Sequence, residues 1–228
     1  MDTQWPVRVV LFDLDGTLID SAPDLGAAAD SLRAVRGMPP LPAHAYRPVV
    51  GAGARGLLGV ALGVSPEDDQ FAALREEFFI AYEQRMTELT SVFEGIAPLL
   101  QALGRQSLLW GIVTNKIGRF ARPLVHAFEP LHTARVVIAG DSTAYTKPHP
   151  QPLLEAARRI GVQPEHCIYV GDDARDIQAG RAAGMRTAVA AWGYLGIAHG
   201  GALADASGWG ADKVLNHPGE LLHWLQSA

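Results

Sequence analysis

Two aspartates separated by one leucine offer the clearest chemistry in this chain. Asp13 and Asp15 follow an apolar, β-favouring run from Val9 to Phe12, and Gly16 and Thr17 come directly after them. Aspartate is poor in strands and glycine permits a sharp turn, so a strand is predicted to end here. Two carboxylates in such a turn could converge on one cation or one reacting group, and a plain acidic turn is the alternative.

Polar residues also follow three later apolar runs. They are Thr114-Asn115-Lys116 after the first run, Lys147-Pro148 after the second, and Gly171-Asp172-Asp173-Ala174-Arg175-Asp176 after the third. The carboxyl ends of the strands in a parallel sheet share one edge, which is where open α/β sheets bind ligands. The side chains predicted to meet in one crevice at this edge are Asp13, Asp15, Thr114, Lys147 and Asp172.

Such a crevice would suit a metal ion and a phosphate group. Three carboxylates repel one another unless a positive charge joins them, and Mg²⁺ prefers carboxylate and phosphate oxygens. Lys147 could attract phosphate as a point charge, and the Thr114 hydroxyl could hold a phosphoryl oxygen together with the backbone N–H groups of Leu14 and Asn115. One carboxylate could act as the nucleophile, while the other could protonate the leaving alkoxide and later deprotonate water.

Strand-like and helical runs alternate through most of the chain. The predicted strands after the first are Leu108 to Val113, Val136 to Ala139, Cys167 to Val170 and Thr187 to Ala191, with an edge strand at Lys213 to Leu215. The predicted helices between them are Ile96 to Leu103, Arg119 to Phe128, Gln151 to Ile160 and Ala174 to Ala183. This alternation predicts an α/β fold with a Rossmann-like parallel-sheet core.

An all-helical segment interrupts the alternation after the first strand. One helix is predicted to follow Ser21, a second to run from Gly53 to Leu62, and a third to begin near Ser65 with an apolar stripe that reaches Leu89. We therefore expect a helical cap inserted into the core. The predicted domains are a catalytic core of residues 1–18 and 92–228 and a cap of residues 19–91.

The cap is predicted to contact substrate through Arg47, Gly53 and Arg55. The segment from Arg47 to Arg55 joins two basic side chains to a glycine-containing turn. Glycine lets backbone N–H groups approach a ligand, and arginine suits a carboxylate. A helix start with a solvated Arg55 is the alternative.

The composition disfavours several other classes of protein. The 228 residues carry a formal net charge of −5 and no basic run, so nucleic acid is not an expected partner. We expect no membrane partner, because no apolar segment could span a bilayer. No export signal is visible, so a cytoplasmic location is predicted. The expected oligomeric state is a monomer or a homodimer. The single cysteine, Cys167, lies in an apolar run and is expected to be a buried core thiol.

In order and spacing, four motifs resemble those of haloacid dehalogenase-like phosphatases. They are Asp13-Leu14-Asp15-Gly16-Thr17, Thr114-Asn115-Lys116, Lys147-Pro148 and Gly171-Asp172-Asp173-Ala174-Arg175-Asp176. The resemblance covers almost the whole chain, including the helical cap after the first motif. Within the family, the chain is similar to the phosphoglycolate phosphatase group. Segments such as Phe93-Glu94-Gly95 and Trp209-Gly210-Ala211-Asp212 look most like a branch that acts on N-acetylmuramic acid 6-phosphate.

The resemblance implies which residues hold the metal and transfer the phosphoryl group. Asp13 would be the nucleophile and a Mg²⁺ ligand, and Asp172 would be a second ligand. Asp15 would be the general acid and base, with its backbone carbonyl on the metal. Thr114 would hydrogen-bond the transferring group.

It also implies supporting roles. Lys147 would offset the negative charge of Asp13 and of the phosphate, with Asn115 beside it in the substrate site. Asp176 would orient water or Lys147 from behind. Asp173 would either share that supporting role or simply start the next helix, where an acid is favoured.

The function implied is a Mg²⁺-dependent phosphomonoesterase acting on a small phosphorylated acid or sugar, such as 2-phosphoglycolate or N-acetylmuramic acid 6-phosphate. A sugar phosphomutase is one alternative, but Gly171 stands where mutase-like relatives carry glutamate, which favours hydrolysis. A signalling domain phosphorylated on Asp13 is another, although a water-excluding cap suits turnover of small substrates. A dehalogenase is disfavoured because it would not need the acid/base that Asp15 supplies.

Overall fold

The computed structural model describes residues 7–196 and 205–227 of the chain. Their strands are β1 (Val9–Phe12), β2 (Ile19–Asp20), β3 (Ser91–Val92), β4 (Leu109–Val113), β5 (Val137–Ile138), β6 (Cys167–Gly171), β7 (Arg186–Ala190) and β8 (Lys213–Leu215). Their α-helices are α1 (Ala22–Ala34), α2 (Gly53–Leu62), α3 (Phe71–Glu83), α4 (Ile96–Arg105), α5 (Gly118–Ala127), α6 (Gln151–Ile160), α7 (Ala174–Ala182) and α8 (Glu220–Ser227). None of these helices combines the length and the apolar character that crossing a bilayer requires.

Six strands form one parallel sheet in the order β5-β4-β1-β6-β7-β8. The first strand is central, because Phe12 pairs with Ile112 on one side and with Val170 on the other. The carboxyl ends of β4, β1 and β6 therefore lie side by side. The predicted α/β fold with a Rossmann-like parallel sheet is confirmed.

Apolar burial explains why β1 occupies the centre. All four of its residues are fully buried, as expected for a strand that is covered by helices on both faces of a parallel sheet. One core cluster packs Leu153 of α6 and Ala179 of α7 against Leu11 and Cys167 of the sheet. The expectation for Cys167 is met: its thiol is buried, and this burial raises its pKa to about 12.

The chain divides into two compact units. Of the described residues, the larger unit contains 7–19, 92–195 and 205–227, which include the whole six-stranded sheet. The smaller unit contains residues 20–91 with α1, α2 and α3, together with residue 196. The glycine- and alanine-rich composition of residues 193–211 predicts a surface loop there, but residues 197–204 lie outside the described residues.

Two expectations within the smaller unit are wrong. The third helix begins at Phe71 rather than near Ser65, because the Asp68 carboxylate accepts hydrogen bonds from the Ser65 backbone N–H and hydroxyl and closes a turn there. The same helix ends at Glu83, so Leu89 is not on its apolar stripe and is 55% exposed. The backbone N–H of Leu89 instead donates to the buried Asp24 carboxylate at 3.0 Å.

The glycine-containing turn predicted after Arg47 is also different. Residues Arg47–Ala52 form a 3₁₀ helix that runs directly into α2. Gly53 joins the two with a positive φ of 61°, a conformation that residues with a side chain rarely adopt. The glycine is therefore explained by the junction between the two helices.

Candidate active site

Two adjacent strand ends bring three of the predicted acids together in the larger unit. Asp13 continues the register of β1, because its backbone N–H donates to the Val170 carbonyl at 2.9 Å. Asp172 follows the last residue of β6, and Asp176 lies one turn into α7. One carboxylate oxygen from each of Asp13, Asp172 and Asp176 lies within 4.8 Å of the others. The strand order thus assembles a compact acidic cluster from distant parts of the chain.

Lys147 supplies the positive charge inside this cluster. Its ammonium lies 3.0 Å from Asp13 Oδ1 and 2.7 Å from Asp176 Oδ1, and the residue is only 3% exposed. Burial alone would lower the pKa of Lys147, but the two carboxylates outweigh that effect and raise it. Lys147 is therefore held in its charged form beside the predicted nucleophile.

Two further contacts fix the Lys147 ammonium. It donates to the Tyr169 hydroxyl at 2.7 Å and to the Val113 carbonyl at 3.1 Å. The Tyr169 hydroxyl in turn donates to the same carbonyl at 2.7 Å. Tyr169 is fully buried, and burial next to Asp176 and Asp13 raises its pKa well above the usual range, so it remains a neutral hydroxyl. These bonds fix the position of the ammonium beside Asp13 and Asp176.

Asn115 holds the main chain of Lys147 rather than offering its amide to open space. Its side-chain oxygen accepts from the Lys147 backbone N–H at 2.9 Å, and its Nδ2 donates to the Lys147 carbonyl at 2.9 Å. This pair of bonds links the end of β4 to the loop that carries the lysine. Thr114 is 3% exposed at the end of β4, and its hydroxyl accepts from the Lys116 backbone N–H at 3.2 Å.

A tight cradle holds Asp172. The Thr17 hydroxyl donates to its Oδ1 at 2.9 Å, and the Tyr194 backbone N–H donates to its Oδ2 at 2.8 Å. A Cβ atom on Gly16 would lie 2.1 Å from Asp172 Oδ2, and one on Gly193 would lie 2.3 Å from Asp172 Cβ. Only glycine at both positions leaves room for the carboxylate.

The electrostatics of the cluster favour a cation. Burial and the nearby charges of Asp13 and Asp176 raise the pKa of Asp172 well above its usual range. Burial also raises the pKa of Asp176, to about 6, although Lys147 acts in the opposite direction. Lys147 pairs with Asp13 and Asp176 but not with Asp172, so the three carboxylates carry more negative charge than the lysine offsets. Their oxygen atoms are donors that a hard divalent cation prefers. The three carboxylates could therefore hold a metal ion.

Asp173 and Asp176 together cap α7. The Asp173 side chain accepts from the Arg175 backbone N–H at 2.9 Å, and the Asp176 side chain accepts from the Asp173 backbone N–H at 3.0 Å. The Asp173 carboxylate also binds the Arg175 guanidinium at 2.8 Å. Asp173 therefore starts the helix, whereas Asp176 both caps it and faces Lys147.

Asp15 lies outside this carboxylate cluster and is paired with a different lysine. Lys116 Nζ lies 3.1 Å from each oxygen of the Asp15 carboxylate. The Leu14 backbone N–H, which is predicted to hold a phosphoryl oxygen, donates to Asp13 Oδ1 at 2.7 Å in this structure. That bond orients the carboxylate of the predicted nucleophile.

The three residues assigned to the cap all lie in the smaller unit. Arg47 forms an ion pair with Asp20 at 2.8 Å, Gly53 starts α2, and Arg55 is exposed in the first turn of α2. Their predicted contact with substrate stays a prediction.

Sequence reasoning missed the residues that support the acids. Thr17 lies inside the first motif, so its hydroxyl could have been predicted to support one of the acids. Tyr169 was expected only as part of a strand, and nothing in the sequence shows that its hydroxyl meets Lys147. Gly193 and Tyr194 follow β7, and their approach to Asp172 depends on the strand order.

Comparison with known proteins identifies the family to which this chain belongs. Residues 10–190 match the family described as haloacid dehalogenase-like hydrolase. An N-acetylmuramic acid 6-phosphate phosphatase of Pseudomonas aeruginosa is 39% identical over 97% of this chain and 96% of its own. A phosphoglycolate phosphatase of Xylella fastidiosa is 45% identical over 92% of this chain and 90% of its own.

A solved structure supports the fold. A haloacid dehalogenase-like family hydrolase from Streptococcus pneumoniae superposes with a TM-score of 0.81 at 24% identity and covers 96% of this chain and 99% of its own. The family match spans most of the sequence. The two relatives are both named as phosphatases, and the match covers nearly the full length of each. The chain therefore belongs to the haloacid dehalogenase-like hydrolases and is a phosphatase of that family.

Proposed function

We propose that this phosphatase is a Mg²⁺-dependent phosphomonoesterase that works through an aspartyl phosphate on Asp13. The observation that carries the proposal is the position of Asp13 between a buried lysine and two further carboxylates. A carboxylate whose neighbours include a fixed cation can attack an electron-poor phosphorus without leaving its charge unbalanced.

Hydrolysis then needs two displacements. An oxygen of Asp13 attacks the phosphorus, the bond to the ester oxygen breaks, and the departing oxygen takes a proton from the Asp15 carboxyl. Asp15, now ionised, removes a proton from water as the water attacks the same phosphorus. The bond from phosphorus to Asp13 breaks, which releases inorganic phosphate and returns both carboxyl groups to their starting forms.

Lys147 and the metal have complementary tasks in this scheme. Lys147 offsets charge on Asp13 and on the phosphoryl oxygens, and Thr114 holds one of those oxygens. Asp13 and Asp172 would hold Mg²⁺ together with the Asp15 backbone carbonyl, and the ion would supply positive charge against the phosphate oxygens. Asp176 keeps Lys147 in place.

Magnesium is expected to stabilise the fold as well as to support turnover. At ten times its dissociation constant, a ligand that binds only the native state stabilises it by about 1.4 kcal/mol. For a chain of this size that corresponds to a rise of about 3–6 °C in melting temperature, which calorimetry measures. Asp172→Asn should remove most of the rise, whereas the exposed control Asp69→Asn should keep it. If Mg²⁺ left the melting temperature of the unaltered protein unchanged, the proposed metal site would be contradicted.

The substrate is proposed to be a small phosphorylated acid, either 2-phosphoglycolate or N-acetylmuramic acid 6-phosphate. The relatives named for these two activities support this class, since both match this chain over most of its length. Residues 19–91 are proposed to act as a cap that selects the substrate. Arg55 is the better candidate there for a substrate carboxylate, because Arg47 already pairs with Asp20.

The test is a comparison of kcat/KM for the two acids and for sugar phosphates that lack a carboxylate, with released phosphate as the readout. For one of the acids, kcat/KM should exceed that of the sugar phosphates without a carboxylate by about tenfold or more, because only the acids offer Arg55 a carboxylate to pair with. An isomerised sugar phosphate without released phosphate would indicate a mutase instead. A long-lived phosphoprotein that releases no phosphate would indicate a signalling domain.

A further inference from the structure

Lys116 makes a close contact that the proposed mechanism has not used. Its Nζ lies 3.1 Å from both oxygens of the Asp15 carboxylate, so the ammonium faces the two oxygens symmetrically. The side chains are 7% and 18% exposed, respectively, which places this pair at a partly desolvated position. An ion pair there is screened less by solvent than one on an open surface.

The backbone on the Lys116 side of this contact is firmly held. The Lys116 N–H donates to the Thr114 hydroxyl at 3.2 Å, and its carbonyl accepts from the Gly140 N–H at 2.9 Å. A Cβ on Gly140 would lie 2.2 Å from the Asn115 carbonyl oxygen, so only glycine permits this close approach. The lysine is therefore anchored to the end of β4 and to the segment after β5.

The backbone of Asp15 is also fixed, but a fixed backbone does not determine where the side chain points. Asp15 forms an isolated bridge with Ile19, and Gly16 turns the chain directly after it with a φ of 81°. A short carboxylate on a fixed backbone still has several staggered rotamers. A symmetric ion pair selects one of them, and proton transfer needs the carboxyl within hydrogen-bond reach of the ester oxygen.

We propose that Lys116 is a positioning residue that holds the Asp15 carboxyl where it can exchange a proton with the leaving oxygen and with water. This inference rests on the proposed function, because it assigns Asp15 the proton transfer described there. Lys116 itself transfers no proton and contacts no reacting atom in this scheme. Its effect on the reaction passes through the orientation of Asp15.

The proposal makes a prediction that depends on the leaving group. An alkoxide is a poor leaving group and needs the proton from Asp15, whereas p-nitrophenolate departs readily without one. Loss of orientation at Asp15 should therefore slow the first displacement for an alkyl phosphate and spare it for p-nitrophenyl phosphate. The second displacement uses Asp15 as a base with either ester and should slow for both.

The test uses Lys116→Met, which keeps the length of the side chain and removes its charge. The probes are p-nitrophenyl phosphate and whichever of 2-phosphoglycolate and N-acetylmuramic acid 6-phosphate the unaltered enzyme hydrolyses faster. With the alkyl ester, kcat should fall by about 10²-fold, the usual contribution of a placed acid, while KM stays within about threefold. With the aryl ester, the initial burst of nitrophenol should keep its rate within about threefold while steady-state turnover falls.

Two control variants frame this result. Asp15→Asn should reproduce the same pattern with a larger loss, because it removes the proton donor itself. Lys213→Met removes an exposed lysine from the edge strand β8 and should leave both esters unaffected. Melting temperatures of all the variants report whether each one is folded.

Other outcomes would overturn the inference. A rise in KM with unchanged kcat would make Lys116 a direct substrate ligand. Equal loss of the nitrophenol burst and of alkyl ester turnover would disconnect it from Asp15. These results differ from a failure of the proposed function, in which the unaltered enzyme releases phosphate from neither acid or Asp13→Asn keeps its activity.

Discussion

Replacing Asp13 with asparagine is expected to abolish turnover and to leave the fold intact. Asparagine keeps the shape of the side chain, and its oxygen can still accept the hydrogen bond from the Leu14 backbone N–H. Lys147 keeps its second partner, Asp176, at 2.7 Å, so no unpaired buried charge is created. The amide cannot attack phosphorus as a carboxylate does, and kcat should fall on the order of 10⁴-fold.

Steady-state release of phosphate and mass spectrometry of the quenched protein measure this loss. The unaltered enzyme should carry a phosphoryl group on the peptide that contains Asp13 during turnover, and Asp13→Asn should carry none. The exposed control Asp69→Asn should behave like the unaltered enzyme. If Asp13→Asn retained a tenth or more of the activity with a normal melting temperature, Asp13 would not be the nucleophile.

Replacing Lys147 with methionine is expected to damage both stability and turnover. The change leaves the carboxylates of Asp13 and Asp176 facing each other without the ammonium that lies 3.0 Å and 2.7 Å from them. Removing one side of a buried ion pair costs about 3–5 kcal/mol. For a chain of this length, the melting temperature should fall by about 6–20 °C. Turnover should fall on the order of 10²–10³-fold because a preorganised charge is lost.

A double variant separates the two effects of this change. Adding Asp176→Asn to Lys147→Met removes one of the uncompensated carboxylates, so it should recover part of the lost stability and none of the lost turnover. Lys213→Met, on the exposed face of β8, is the matched control and should change neither quantity. A melting temperature for Lys147→Met within about 2 °C of the unaltered protein would mean that the cluster is stable without its cation.

Much of the fold could be predicted because the chain marks its own element boundaries. The prediction for α6 matches the structure at both ends, where Pro150 precedes the helix and Gly161 ends it in a left-handed conformation. The buried strands were visible as short apolar runs. The prediction for α3 failed because Ser65 and Asp68 form a local turn that has the same composition as a helix start.

The candidate site could be predicted only as far as its motif residues. The placement of Asp13 near Lys147 follows from the rule that parallel strands share one edge for their carboxyl ends. The contacts of Tyr169 and Lys116 do not follow from it, because they depend on side-chain directions within the assembled sheet. The contact of Tyr194 with Asp172 comes from a loop after β7, whose path no local pattern encodes.

The buried thiol of Cys167 offers a way to watch the active-site strand in solution. Cys167 begins β6, the interior strand whose carboxyl end leads into Asp172. Since the chain has one cysteine and burial keeps it protonated, an alkylating reagent should label the protein only when that strand opens. The labelling rate thus reports how often the sheet exposes its central layer, without any engineered probe.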